Sequence, residues 1–229
     1  MYFRKQAGVI GFHQLQGLGL ICRRIAAAVA GSAALAAGAL AQPVLPPVTP
    51  VQVSPHAYFV QGQSALGSPK NANFISNAGF VVTDSSVVVI DALGSPALAR
   101  ELLAQIRRIT AKPVSHLILT HYHADHVYGL QVFKEAGATI IANRHGQEYL
   151  ESDTARLRLD ASRKELAPWI DAQTQLVPAD RWIDGDTELT VGGTRFVLRS
   201  AGPSHTPDDT VIYLPDEKVL FAGDVVFRA

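Results

Sequence analysis

Hydrophobic and polar positions change period several times along the chain, and each change marks a predicted element. Ala57 to Gln61, Asn73 to Ser76, Phe80 to Thr83 and Val87 to Asp91 are short runs of β-prone residues, with Thr83-Asp84-Ser85-Ser86 as a polar turn between the last two. Apolar residues then recur at helical spacing, at Leu98, Leu102, Leu103 and Ile106, behind Ser95 as cap and Pro96 as first residue. Pro113 closes that stretch. Val114 to Thr120 is apolar and β-branched, which predicts a strand buried on both faces, and a helix follows through Val127, Leu130, Val132 and Phe133 to Gly137. Ala138 to Ala142 is the next strand. The order to this point is ββββαβαβ.

The segment from Arg144 to Pro168 is polar and reads as helical. One straight helix would put Leu150 and Leu157 on the side opposite Leu159 and Leu166, so the segment either breaks or is covered on two faces. Beyond Pro168 the β pattern returns. Thr187 to Val191 and Arg195 to Ser200 flank Gly192-Gly193, a two-residue hairpin signal, and Thr210 to Leu214 and Val219 to Ala222 flank Pro215-Asp216-Glu217-Lys218.

The first 41 residues follow other rules. They hold Arg4, Lys5, Arg23 and Arg24 but no acid, then an apolar run from Ile25 to Leu40, then Ala39-Leu40-Ala41. That is the make-up of a secretory leader cut after Ala41, and the run is too short and too rich in Ala and Gly for a membrane span of ~20 residues. Export through a general or a twin-arginine route is open. Residues 42–55 carry five prolines and predict an extended linker, with the folded domain over residues 56–229.

Of 20 basic and 20 acidic residues, the leader takes four basic ones, so the remaining chain is acidic by four charges. This argues against a nucleic-acid partner; the small-molecule substrate expected instead is what the motifs below imply. The one cysteine, Cys22, also belongs to the leader, so a metal site in the domain must be built from histidine and carboxylate.

His121, His123, Asp125 and His126 fall within six residues at the end of a predicted buried strand. In an extended stretch His121, His123 and Asp125 would converge, with His126 turned towards a neighbouring position, which suits two adjacent metal ions. The string HYHADH resembles the H-x-H-x-D-H signature of the metallo-β-lactamase superfamily. Asp91 in VVVID, Gly129 in HVYG, His205 in GPSHTPDD and Asp224 in LFAGDVVF follow in family order. HADHVYGLQVF and LFAGDVVFR are most similar to exported hydrolases associated with quinoprotein-relay and sulfur-oxidation gene clusters.

The resemblance implies an α/β fold, the αββα sandwich. It also implies one or two zinc ions, with His121, His123 and His205 on the first, Asp125 and His126 on the second, and Asp224 bridging. Asp125 would orient the attacking water as catalytic residue, and Asp91 would brace the ligand loop. An Asp rather than a Cys at position 224 favours ester, thioester or related acyl substrates over a dedicated lactamase. Family members place a further histidine, strand and helix after the bridging Asp, whereas here the sequence runs five residues past Asp224, so an incomplete second site is expected. The alternative is a persulfide dioxygenase with Fe(II) on His121, His205 and Asp224, or a truncated product without activity.

Other candidates carry less. Ser204 lacks the G-x-S-x-G context of a nucleophile, and Tyr122, Tyr128, Trp169 and Trp182 read first as packing residues. The 144–168 segment could also serve as a flap over the site.

Overall fold

The computed structural model describes residues 44–227, so the leader predicted over residues 1–41 lies outside the described residues. Two sheets form the body. In the first, β1 (Val51–Gln52), β2 (Ala57–Val60), β3 (Ala78–Val82) and β4 (Val87–Ile90) run antiparallel as a meander. Then β5 (Val114–Ile118), β6 (Thr139–Asn143) and β7 (Arg181–Ile183) add in parallel, in the order β1-β2-β3-β4-β5-β6-β7. Parallel strands need crossovers, and the crossovers are helical. These are α1 (Pro96–Ile109), α2 (Ala124–Val127) with α3 (Leu130–Glu135), and α4 (Gln147–Leu150) with α5 (Asp153–Glu165). The second sheet is antiparallel, β8 (Thr187–Val191), β9 (Thr194–Ser200), β10 (Thr210–Leu214) and β11 (Val219–Phe221), in the order β11-β10-β9-β8.

Side-chain alternation explains why β4 is buried at every residue. Val87 and Val89 face the helices, and Val88 and Ile90 face the second sheet. Ile118 and Ile141 join the same inter-sheet core, against Phe196, Leu198 and Ile212. Truncating one of these, as in Ile118→Ala, costs about 2–5 kcal/mol. The large apolar residues that the helices bury, among them Leu98, Leu102, Ile106, Phe133 and Leu159, belong to the core on the other face of the first sheet. Among the described residues the outer face of the second sheet is open, with Arg195, Arg199 and Tyr213 exposed, so the layers described are α, β and β.

Local chemistry accounts for most boundaries. Ser95 Oγ accepts from Leu98 N, Pro96 opens α1, and Leu98, Leu102 and Ile106 bury one face. The helix predicted from Val127 to Gly137 is instead two pieces, because the chain bends at Tyr128-Gly129. A Cβ on Gly129 would lie 2.0 Å from the Ala92 carbonyl oxygen, so only glycine allows that approach. The 144–168 segment breaks as its two faces required. A short 3₁₀ turn and α4 bury Leu150, Ser152 caps α5, Leu159 is buried and Leu157 is exposed.

Three expectations need correction. Residues 42–55 are not a free linker, because Val48 is 1% exposed in the core and Val51–Gln52 pair with Tyr58–Phe59, so the fold includes them rather than starting near His56. Asn73 to Ser76 is not a strand. Ala72 and Asn73 are left-handed (φ +55° and +60°), and Asn73 donates from its side chain to the Gly94 carbonyl, which pins a turn. The third correction is β7, a three-residue parallel strand with no counterpart in the sequence reading.

Candidate metal centre

The centre forms where β5 ends. Thr120 and His121 are buried there, and the backbone stays extended to His123, which caps α2. His121 and His123 therefore point the same way, with Nε2 of the first 3.2 Å from Nδ1 of the second. His205, from the loop between β9 and β10, brings its Nε2 to 2.9 Å from the same His123 Nδ1. Three ring nitrogens thus converge on one point. Burial, then the neighbouring charge of His126, pushes the His121 pKa down to about 2, and burial with His205 alongside also lowers His123. Both rings are neutral near pH 7, the form that ligates metal.

A second group shares His121 with the first and adds His126 and Asp224. His126 is 1% exposed. Its Nδ1 donates to Asp91 Oδ2 at 2.9 Å, and its Nε2 is buried with no hydrogen-bond partner, 3.4 Å from Asp224 Oδ1 and 3.5 Å from Asp125 Oδ2. A buried orphan nitrogen facing two carboxylates fits a cation held between them. Burial alone would depress the His126 pKa, but Asp91, Asp224 and Asp125 together raise it well above the usual range. Asp224 sits in a turn after β11, and its other oxygen lies 3.7 Å from His205 Nε2 and 4.0 Å from His121 Nε2, so it faces both groups. Gly223 (φ +53°) permits this position, since a Cβ there would meet Thr120 at 2.8 Å.

Asp91, left-handed at φ +62° and 2% exposed, braces the assembly. Its Oδ1 accepts from Thr120 N and its Oδ2 from Thr120 Oγ1, both at 2.8 Å, besides His126. With the hydroxyl proton committed to Asp91, Thr120 Oγ1 accepts from His121 Nδ1 at 3.1 Å. One buried carboxylate thereby sets the tautomers of two histidines, leaving Nε2 of each as the lone-pair side.

Asp125 departs from the extended reading. It lies in the first turn of α2, where 100° per residue replaces alternation, and its Oδ2 comes to 3.5 Å from His126 Nε2 without joining either converging group. Its backbone carbonyl accepts from Ser76 Oγ. Ser76, Thr120, Asp208 and Asp209 all hold ligand segments and were not among the sequence candidates. For Thr120, Asp208 and Asp209 the available signal was their place beside the histidine motifs, whereas Ser76 lies 45 residues before His121 and left none. Tyr122 stacks on Tyr149 at 4.3 Å and meets His123 edge-on, whereas Tyr128 is buried against Ser162. Trp169 bonds the Pro69 carbonyl, and Ser204 is exposed with no part in the cluster. A cavity of about 220 Å³ opens beside the second group, between Asp91, His126 and Asp224 on one side and Phe59, Leu220 and Val226 on the other.

Residues 72–229, which contain every residue of both groups, match the profile of the metallo-beta-lactamase superfamily. The chain belongs to that superfamily. Among its curated relatives, this superfamily member is 25% identical to the linear primary-alkylsulfatase of Pseudomonas sp. over 61% of this chain and 31% of that protein. It is 28% identical to the metallo-beta-lactamase type 2 of Bacillus sp. over 69% and 54%. The chain spans about a third to just over half the length of the curated relatives it matches. Two solved structures share the fold. The metallo-beta-lactamase from Pontibacter korlensis matches with TM-score 0.58 and 21% identity over 77% of this chain and 71% of that one. The sec-alkylsulfatase Pisa1 from Pseudomonas sp. matches with TM-score 0.56 and 21% identity over 76% and 30%.

Proposed function

We propose that this superfamily member is a metal-dependent hydrolase, with zinc as the metal and an ester, thioester, lactam or related acyl compound as substrate. One observation carries the reading. The orphaned Nε2 of His126 and the three converging nitrogens of His121, His123 and His205 mark two donor sets that share His121, with the Asp224 carboxylate in the second and facing the first. When bound there, divalent cations supply a water of lowered pKa and polarise a carbonyl oxygen.

The chain's own groups do the rest. Asp91 holds protons on Nδ1 of His126 and, through Thr120, on Nδ1 of His121, so neither ring can turn without breaking a buried bond. Asp125 Oδ2, 3.5 Å from His126 Nε2, is the carboxylate that would accept a proton from the attacking water. The half-exposed His205 side leaves the first group open to an incoming substrate. The nucleophile is water rather than a side chain. His126 favours this reading over a single-iron dioxygenase, because its Nε2 is a buried donor that the His121, His205 and Asp224 combination leaves unused.

The relatives named as alkylsulfatase and lactamase support hydrolysis while differing in the bond cut, so a panel should include an alkyl sulfate alongside esters, thioesters and lactams. We further propose that the leader over residues 1–41 directs the domain to the periplasm or exterior, without a membrane anchor after cleavage. Metal analysis of the purified chain with turnover of that panel tests the function. Zinc content and zinc-dependent turnover abolished by His121→Ala are expected. Absence of any bound transition metal, or full activity in His121→Ala, overturns the reading.

A further inference from the structure

His205 is the least supported member of the first group. It lies on an exposed loop between β9 and β10, outside any helix or strand, and contacts the other ligands only through its ring. Something must fix its backbone if the ring is to meet His123 at 2.9 Å. Directly after it come Thr206, Asp208 and Asp209, all buried, at 3%, 1% and 1% exposure.

Two adjacent buried acids demand hydrogen-bond partners, and the loop provides them. Asp209 Oδ2 accepts from the backbone N–H of both His205 (2.6 Å) and Thr206 (2.7 Å). Its Oδ1 lies 2.8 Å from Thr206 Oγ1, and so does Asp208 Oδ1. Asp208 also faces the backbone N–H of Tyr122, the residue between His121 and His123. The same stretch is anchored behind by Thr210 N donating to the Thr120 carbonyl, and by Thr210 Oγ1 donating to the Asp208 carbonyl.

Counting protons assigns the roles. One threonine hydroxyl carries one proton and cannot donate to two carboxylates at once. Asp209 already accepts two N–H groups, so it is the carboxylate and takes the Thr206 proton. Asp208 can then share the same hydroxyl only when it carries a proton of its own to donate to Thr206 Oγ1; burial, with Asp209 as a like charge alongside, raises its pKa to about 6, so that arrangement holds below about pH 6.

We propose that Asp209 and Asp208 form a positioning pair for the third metal ligand, Asp209 clamping the His205–Thr206 backbone and Asp208 tying that loop through Thr206 to the His121–His123 segment. The proposal rests on the reading that the first group holds a metal. Neither acid belongs to a donor group, and both are buried. Their effect is to keep His205 at its place in the donor set before the cation arrives, a role no other polar side chain among the described residues takes on for this backbone.

The experiment compares the full chain with Asp209→Ala, Asp209→Asn and, as a distant control, Glu217→Gln. Each is titrated with zinc against a competing chelator, and each is loaded with cobalt(II) for its visible spectrum. Asparagine keeps an oxygen for the two N–H groups and can donate to Thr206 Oγ1, which then turns its proton to Asp208, so this variant should bind as tightly as the parent to within about threefold. Alanine removes the clamp and should weaken the first zinc by about 10–100-fold, with an altered cobalt spectrum. Glu217→Gln loosens the contacts to Ser54 and His56 on the far turn and should leave both readouts unchanged. Should Asp209→Ala fail to fold, Thr206→Val removes the shared hydroxyl and should weaken zinc several-fold. Parental zinc affinity and spectrum in Asp209→Ala, or in Thr206→Val where that replaces it, overturns the positioning role even if the melting temperature drops. A parent chain that binds neither zinc nor cobalt overturns the metal reading itself, a result distinct from either.

Discussion

His126 is buried and has a carboxylate within 3.5 Å of each ring nitrogen, whereas His205 sits on an exposed loop and reaches the centre only at its ring tip. Both serve the same cluster, yet the interior must satisfy His126 before any metal binds, while water can satisfy His205. The His126 ring is therefore part of the fold's stability and the His205 ring is not, although the backbone that carries His205 is held by Asp209. A site built from both kinds of support has one wall that cannot move and one that can admit a substrate.

Asp91→Ala should break this contrast most severely. It strands the N–H and hydroxyl of Thr120 and Nδ1 of His126 at once, so denaturant unfolding of the metal-free protein should show a loss of about 3–5 kcal/mol. Zinc stoichiometry should fall as well, because both buried histidines lose their fixed tautomers. A loss under about 1 kcal/mol would show that the buried wall is not a stability element.

The pH dependence of stability sharpens the comparison next. Asp208 has its pKa raised to about 6, so between the unfolded value near 4 and about 6 the folded chain binds the extra proton. That stability is present below pH ~4 and lost as pH rises to ~6, by at most about 3 kcal/mol. Subtracting the unfolding profile of Asp208→Asn from that of the parent should isolate this slope, and identical profiles would contradict it. His126 is shifted upward too, so its proton stabilises the metal-free chain fully below pH ~6.5 and less as pH rises through the folded value. Metal must displace that proton. Zinc uptake by the second group should therefore release protons into a weakly buffered solution and strengthen with pH, and a titration without proton release would refute the raised value.

The smallest effect on stability is expected for His205→Ala. Removing a ring that is 28% exposed and whose hydrogen bond goes only to another ligand should change unfolding free energy by no more than about 1 kcal/mol while greatly weakening the first metal. A large destabilisation would erase the distinction between the walls.

Much of this was legible along the chain because period and chemistry agreed. The strand into His121, the capped start of α1 and the Gly192-Gly193 hairpin, whose glycines have φ +49° and +77°, follow from local rules. The break in the 144–168 segment also followed from counting faces. What stayed hidden depends on distant partners. Prolines disguised the buried Val48, three residues were too few to announce β7, and the turn at Asn73 exists because Gly94 offers it a carbonyl. In the centre, residue types revealed ligands, but Asp125 changed company when helical geometry began two residues earlier than an extended reading assumed. Thr120 and Asp209 act through backbone groups, which leave no spacing pattern to find.

The parallel arrangement of β4, β5 and β6 also imposes an order on how the centre comes into being. Asp91, Thr120 and His126 lie in one contiguous stretch, and their bonds close between neighbouring strands as soon as that stretch has been made. His205 and Asp224 lie on connections at the ends of the other sheet's strands and leave the ribosome much later. A nascent chain thus carries a finished brace and a half-built donor set, and secure metal capture waits for the second sheet to dock on Val88, Ile90 and Ile118.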